Sequence, residues 1–249
     1  MYPSISASQW GSPTAPKKAL LIHGLTACSS SWEGVAQLLV AEGFFVVAPN
    51  LLGHAWRRGT DFRMSALAED LRLYFINDMS YDVVVGHSLG GIVALSLLQF
   101  LPKTKEATVI LVDPPLDIES TAEIYKSWFL DEIANVKTTE ELADDFGWSQ
   151  RDCVLRVLGF TMCDRTTIEG VFSHNRPWSF SGLFKNIPPH VKITVLVSDP
   201  MFGAVCLLEH VPCDVERLNV RVLPGIGHCI QWERPDIIMD AIQPPRAKL

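Results

Sequence analysis

The chain has 249 residues, with 28 acidic and 21 basic side chains and a formal net charge of −7. At 48% hydrophobic and 20% charged residues, the composition is that of a globular protein, which excludes intrinsic disorder and a disulfide-stapled miniprotein. The negative charge repels a phosphate backbone and disfavours nucleic acid as a partner.

The two ends of the chain and the cysteines indicate where in the cell the protein is expected to reside. The six cysteines show no CxxC spacing, the amino terminus has no secretory signal pattern, and no run of about 18 apolar residues occurs. We therefore expect an intracellular protein without a membrane span. The final tripeptide Ala-Lys-Leu differs by one residue from the Ser-Lys-Leu peroxisomal signal and predicts an import receptor as a partner. A chance tripeptide on a frayed end is the alternative.

Short apolar runs alternate with helix-period segments along most of the chain. The predicted strands are residues 18–22, 44–48, 82–85, 108–112, 193–197 and 220–223. The helices predicted between the first four strands are residues 32–42, 64–77 and 90–101. Continuous apolar runs indicate strands buried on both faces. The pattern predicts an α/β fold with a doubly wound, mostly parallel sheet, whose ligands bind beyond the carboxyl ends of the strands.

The alternation breaks between residues 115 and 188, where aromatic residues follow helical spacing. We interpret this segment as a helical cap over the carboxyl edge of the sheet; a helical layer packed only for stability is the alternative. The predicted division is a polar segment at 1–16, a core in two parts at 17–114 and 189–243, a cap at 115–188 and an exposed tail at 244–249.

A nucleophile is indicated by the sequence Gly86-His87-Ser88-Leu89-Gly90, which follows a predicted strand and precedes a predicted helix. Strand, tight turn and helix in this order are the context of the GxSxG nucleophile elbow. The small residues let strand and helix approach closely, so that the Ser88 hydroxyl projects above the sheet. A glycine-rich turn without chemistry is the alternative.

An oxyanion hole is indicated by His23-Gly24-Leu25-Thr26 at the end of the first predicted strand. A turn here aims the Leu25 amide at the same point as the Leu89 amide, which gives two donors to an acyl oxygen. We expect Gly24 and Thr26 to contact the substrate beside this oxyanion hole.

A general base is indicated by Gly225-Ile226-Gly227-His228 after the last predicted strand. Small residues let this loop carry the imidazole of His228 to within reach of Ser88. Two strand-end carboxylates, Asp113 and Asp199, can orient the imidazole, and chain order does not separate them. Asp199 is favoured, because the two prolines after Asp113 suit a turn into the cap.

These motifs together resemble the α/β-hydrolase superfamily over residues 17–243. The resemblance implies a Ser88, Asp199 and His228 triad, with Asp113 as the alternative acid, and a lid made of the helical insertion. Two features depart from the family pattern. Fewer than 20 residues precede the first predicted strand, so the antiparallel hairpin that opens the fold is expected to be shortened or absent. Residues 50–55 read Asn-Leu-Leu-Gly-His-Ala, where the family has Asp-x-x-Gly-His-Gly.

The predicted activity is that of a serine hydrolase. The enzyme would cleave an ester, thioester or lactone of a small to medium apolar acyl substrate through an acyl-enzyme, with no metal or organic cofactor. Trp128, Trp148 and Trp178 are predicted to contact the substrate. The alternatives are a lyase or cyclase on the same fold, and a module that binds a small ligand with little turnover.

Overall fold

A computed structural model describes residues 6–75, 79–103 and 105–242. Seven strands of this part form one sheet in the order β1-β3-β2-β4-β5-β6-β7. The strands are β1 (Ala7–Trp10), β2 (Lys17–Ile22), β3 (Phe44–Pro49), β4 (Val83–His87), β5 (Ala107–Val112), β6 (Val191–Val197) and β7 (Leu218–Val222). All neighbouring strands pair in parallel except β1, which is antiparallel to β3. The predicted α/β fold is confirmed.

Helices cover both faces of the sheet. They are α1 (Glu33–Ala41), α2 (Met64–Leu71), α3 (Leu89–Leu97), α4 (Ala122–Ala134), α5 (Thr139–Phe146), α6 (Gln150–Thr161), α7 (Arg165–His174), α8 (Ile230–Glu233) and α9 (Pro235–Ile242). Along β2, Leu20 and Ile22 belong to the core with α2 and α3, whereas Ala19 and Leu21 belong to the core with α1 and α9. Successive side chains of a strand point to opposite faces. Burial of both faces explains the continuous apolar runs.

The amino-terminal region differs from the prediction. Strand β1 lies inside the predicted polar segment 1–16 and pairs with β3 at the edge of the sheet. Its sequence, Ala-Ser-Gln-Trp, has no continuous apolar run, because an edge strand that stays partly exposed needs none. Within the described residues, one antiparallel strand precedes β2. The expectation of a shortened or absent opening hairpin stays a prediction, because residues 1–5 lie outside the described residues.

The predicted helix 64–77 and the predicted tail 244–249 extend beyond the residues that the structure describes. Helix α2 ends at Leu71 and continues as a 3-10 turn to Phe75, so the end of predicted helix 64–77 lies outside the described residues. The tail 244–249, with its Ala-Lys-Leu, also lies outside them, and peroxisomal import stays a prediction. None of the helices in the described ranges has the length and apolar character needed to span a bilayer.

The segment between β5 and β6 contains α4, α5, α6 and α7. Side chains of α4 and α7 lie against residues at the carboxyl ends of the central strands, as the cavity described below shows. The division of the chain into core and cap stays a prediction. This segment is called the helical insertion here.

Candidate active site

Ser88 occupies the sharp turn between β4 and α3. Its backbone has φ 52° and ψ −121°, which a residue with a side chain rarely adopts. The flanking glycines make the turn possible: a Cβ on Gly90 would lie 2.2 Å from the carbonyl oxygen of Ile22, and one on Gly86 would lie 2.3 Å from that of Gly90. Ser88 is also the N-cap of α3, where the helix dipole favours negative charge.

The loop after β2 lies directly against this turn. A Cβ on Gly24 would be 3.2 Å from the Cβ of Ser88. The amide of Leu51 donates to Nε2 of His23 at 3.0 Å, so Nδ1 of His23 carries the proton and donates to the carbonyl of Gly24 at 2.8 Å. Burial lowers the pKa of His23 to about 3, which keeps the ring neutral. The Gly24 carbonyl is thereby fixed, and with it the Leu25 amide of the same peptide plane.

His228 is held by a buried carboxylate. Its Nδ1 lies 2.6 Å from Oδ2 of Asp113, which is fully buried directly after β5. The same carboxylate accepts the backbone amides of Ser198 at 3.2 Å, Val205 at 3.0 Å and Cys206 at 3.3 Å. Four donors therefore satisfy the buried charge and fix its orientation.

The preference for Asp199 is corrected by this geometry. The carboxylate of Asp199 accepts the amides of Gly225 at 2.7 Å and Met201 at 2.9 Å, and these bonds lower its pKa. It caps a turn at the surface and does not contact His228. The reason is strand order: β5 is the neighbour of β4, which leads into Ser88, whereas β6 is one strand further away. A carboxylate at the end of β5 therefore lies beside the nucleophile elbow.

The imidazole of His228 lies next to the elbow. Nε2 of His87 donates to the carbonyl of His228 at 3.0 Å, and the two rings have centroids 4.6 Å apart. His87 immediately precedes Ser88, and the Ser88 amide donates to the carbonyl of Val112, the residue before Asp113, at 2.8 Å. The hydroxyl of Ser88 has no hydrogen bond within the described residues. The fold thus places the ring of His228 against His87, the residue before Ser88, and hydrogen bonds between catalytic groups are often formed only when a ligand is bound.

A cavity opens at Ser88. Its wall is apolar and rich in aromatic rings, and it includes both residues predicted to form the oxyanion hole. The lining residues are Leu25, Ser88, Leu89, Pro115, Ile118, Tyr125, Trp128, Phe129, Phe172, Trp178 and Val205. Four of the five aromatic rings come from α4 and α7, so the helical insertion supplies most of the aromatic surface.

Three of the residues predicted to contact the substrate do not line the cavity. Trp148 packs on Phe146 and Trp232, with ring centroids 4.4 and 4.7 Å apart, in a separate apolar cluster. Thr26 is fully buried and does not line the cavity. Gly24 contacts the elbow and is not among the lining residues. Of the three tryptophans, Trp128 and Trp178 reach the cavity.

Sequence reasoning did not find Arg156, a buried residue of α6. Its Nη1 donates to the carbonyl oxygen of Thr26 at 2.9 Å and to the Thr26 hydroxyl at 3.1 Å. The signal was present: Arg156 interrupts the apolar run Val154, Leu155, Val157, Leu158 of a helix. A charged residue within such a run indicates a buried partner.

Comparison with known proteins agrees with this fold. A family model described as the alpha/beta hydrolase family matches residues 19–241, and the chain belongs to this family. The lipase LipV of Mycobacterium tuberculosis is 35% identical over 117 residues, which cover 44% of this chain and 41% of LipV. An uncharacterized protein of the same organism is 37% identical over 95 residues, which cover 37% of this chain and 28% of that protein. The matched parts thus span less than half of these relatives.

Solved structures resemble the chain over nearly its whole length. An esterase from Exiguobacterium antarcticum has a TM-score of 0.75 at 14% identity and covers 96% of this chain and 95% of its own. The thioesterase domain from the curacin biosynthetic pathway has a TM-score of 0.70 at 20% identity, covering 95% and 93%. At these identities the likeness shows the fold alone.

Proposed function

We propose that this member of the alpha/beta hydrolase family is a serine hydrolase with a Ser88, His228 and Asp113 triad. The observation that carries the proposal is the 2.6 Å contact between His228 and the buried Asp113, beside the strained turn of Ser88. The partial similarity to the lipase LipV supports ester-hydrolysing chemistry in general terms.

The reaction follows from the roles of these groups. Nε2 of His228 takes the Ser88 proton as Oγ attacks the substrate carbonyl, while Asp113 stabilises the imidazolium that forms. The oxyanion accepts hydrogen bonds from the amides of Leu25 and Leu89. The leaving group departs with the proton from His228, which gives an acyl-enzyme. A water molecule then repeats the attack, and Ser88 is regenerated.

The proposed substrate carries a small to medium apolar acyl group on an ester, thioester or lactone. Support for the apolar character comes from the cavity at Ser88, whose wall is formed mainly by apolar and aromatic side chains. Such a cavity stabilises an apolar chain or ring by removing it from water.

The test is a comparison of wild type with Ser88→Ala and, as a matched control on the same helix, Ser96→Ala. A fluorophosphonate probe should label wild type and Ser96→Ala but not Ser88→Ala. A graded series of p-nitrophenyl esters, acyl-CoA thioesters and lactones should be hydrolysed with the same dependence on Ser88. Labelling without turnover of any substrate favours a ligand-binding module, and absence of labelling of wild type favours a lyase or cyclase mechanism.

A further inference from the structure

The loop that carries the proposed oxyanion donor is held at three successive carbonyl groups. His23 bonds the carbonyl of Gly24, as described above. The hydroxyl of Thr26 donates to the carbonyl of Leu25 at 2.7 Å. Arg156 of the helical insertion donates to the carbonyl of Thr26 itself at 2.9 Å. Each peptide plane from residue 24 to residue 27 therefore has a side chain that fixes its direction.

Thr26 needs this support because its backbone is strained. Its φ is 55°, in the left-handed region that β-branched residues rarely occupy. Such a conformation persists only when surrounding groups over-determine it. Thr26 is fully buried, and Arg156 binds both of its oxygen atoms.

Arg156 also decides the direction of the Thr26 hydroxyl. A guanidinium has donors and no acceptor, so the hydroxyl oxygen accepts from Nη1 at 3.1 Å and must turn its own proton elsewhere. The carbonyl of Leu25 receives that proton. Loss of Arg156 would therefore free the Thr26 carbonyl and remove the donor that turns the hydroxyl proton towards the Leu25 carbonyl.

The guanidinium is itself held in place from several sides. It lies over the ring of Phe160 at 3.7 Å from the centroid, and Nη2 donates to Glu132 of α4 at 3.3 Å. Gly159, one turn along α6, lets the helix approach, since a Cβ there would be 2.6 Å from the Thr26 carbonyl oxygen. The helix and the loop are thus packed backbone to backbone, with Arg156 beside the contact.

We propose that Arg156 is a positioning residue that holds the loop 24–26 in the conformation in which the Leu25 amide faces the reacting oxygen. This inference rests on the proposed function, because it concerns the oxyanion of that reaction. Helix α6 would then influence the reaction through Arg156, although no residue of α6 lines the cavity. The contribution is to the transition state, in which the oxyanion forms, and not to binding of the substrate.

The test compares Arg156→Met and Arg156→Lys with wild type. In Arg156→Met we expect kcat to fall about 10- to 100-fold with KM within about threefold of wild type, since a misdirected oxyanion donor costs about this much. Arg156→Lys keeps the positive charge and can donate in one of the two directions, so its kcat should lie between those of wild type and Arg156→Met. Ser88 Oγ adds to the carbonyl carbon of a trifluoromethyl ketone, its proton passes to His228, and the carbonyl oxygen becomes a hemiketal oxyanion in the hole. This ketone should therefore bind Arg156→Met more weakly by the same factor as kcat falls.

Arg151→Met is the matched control, because Arg151 lies on the same helix, is exposed and pairs with Glu33 at 2.7 Å away from the loop. It should leave kcat and ketone binding unchanged. A kcat of Arg156→Met equal to that of wild type, or a loss of kcat without any loss of ketone affinity, overturns the role of Arg156. If Arg156→Met does not fold, the same two measurements on Arg156→Lys decide. A wild type without Ser88-dependent turnover would instead overturn the proposed function and this inference together.

Discussion

His228 and Asp113 contact each other across 115 positions of the chain, with Nδ1 and Oδ2 2.6 Å apart. The carboxylate cannot turn away, because three backbone amides, from Ser198, Val205 and Cys206, bond it at the same time. The imidazole is therefore confined to one tautomer and one plane, with Nδ1 protonated and Nε2 available to a proton from Ser88.

The first prediction concerns the two strand-end carboxylates. Asp113→Asn should lower kcat on the order of 10⁴-fold, because the amide cannot stabilise the imidazolium or hold the correct tautomer. Asp199→Asn removes only a surface cap and should change kcat by less than about threefold. Steady-state kinetics on one activated ester measures both. Equal losses in the two variants would contradict the assignment of Asp113.

The second prediction separates two tryptophans. Trp128 lines the cavity and is 49% exposed, so Trp128→Ala should raise KM for an aromatic acyl ester by about tenfold with little change in melting temperature. Trp148 is buried in a separate cluster, so Trp148→Ala should cost about 3 to 5 kcal/mol of stability and leave KM unchanged. Each variant is the control for the other. A higher KM in Trp148→Ala alone would show that the cavity has been placed wrongly.

The third prediction concerns two helical glycines. Gly90→Ala should destabilise the protein by at least about 3 kcal/mol or prevent folding, because its Cβ would lie 2.2 Å from a backbone oxygen of β2, which cannot move aside. Gly34→Ala on α1 meets no atom within 4 Å and should stabilise by about 0.5 to 1 kcal/mol. Urea unfolding of both variants measures the difference. A folded Gly90→Ala protein with wild-type stability would refute the close approach of α3 to β2.

The fourth prediction concerns pH. Burial lowers the pKa of His54 to about 4, from 6.5 in the unfolded chain, and that of His23 to about 3. Above pH 6.5 both imidazoles are mostly neutral in the folded and in the unfolded protein. Below it the unfolded chain binds protons that the folded chain does not, so each histidine lowers the free energy of unfolding by about 1.4 kcal/mol per pH unit, down to the folded pKa.

Urea unfolding at pH 7.5 and 5.0 measures this loss. His54→Gln should make the difference between the two pH values smaller by about 2 kcal/mol, since one of the titrating groups is gone. The same difference in wild type and variant would mean that His54 is not buried neutral in the folded protein.

The fold was largely predictable from the sequence, for a physical reason. Strands buried on both faces leave continuous apolar runs, and all six predicted runs begin within two residues of an observed strand's start. The exception in the whole sheet is β1, which stays partly exposed at an edge and whose four residues carry no such run. The tight turn at Ser88 was predictable because it needs glycines at fixed positions, and the structure shows close contacts at both Gly86 and Gly90. The role of Ser88 as nucleophile stays a prediction.

The rest of the site depends on contacts that chain order does not encode. Asp113 and Asp199 both follow strands and both precede His228, so only the order of strands in the sheet distinguishes them. The contact of Arg156 with Thr26 joins positions 130 residues apart. Trp128 and Trp148 both lie in the helical insertion, and only the packing of the chain separates them: Trp128 of α4 lines the cavity, whereas Trp148, in the turn before α6, packs on Trp232 of α8.

Val205 contacts the cavity and Asp113 through different parts of the residue. Its side chain forms part of the cavity wall, whereas its backbone amide bonds Asp113 at 3.0 Å. Every amino acid except proline supplies that amide. The side chain at position 205 can therefore be varied in size to change the shape of the cavity, while the hydrogen bond to Asp113 is kept. This separation allows selectivity to change, by evolution or by design, without loss of that bond.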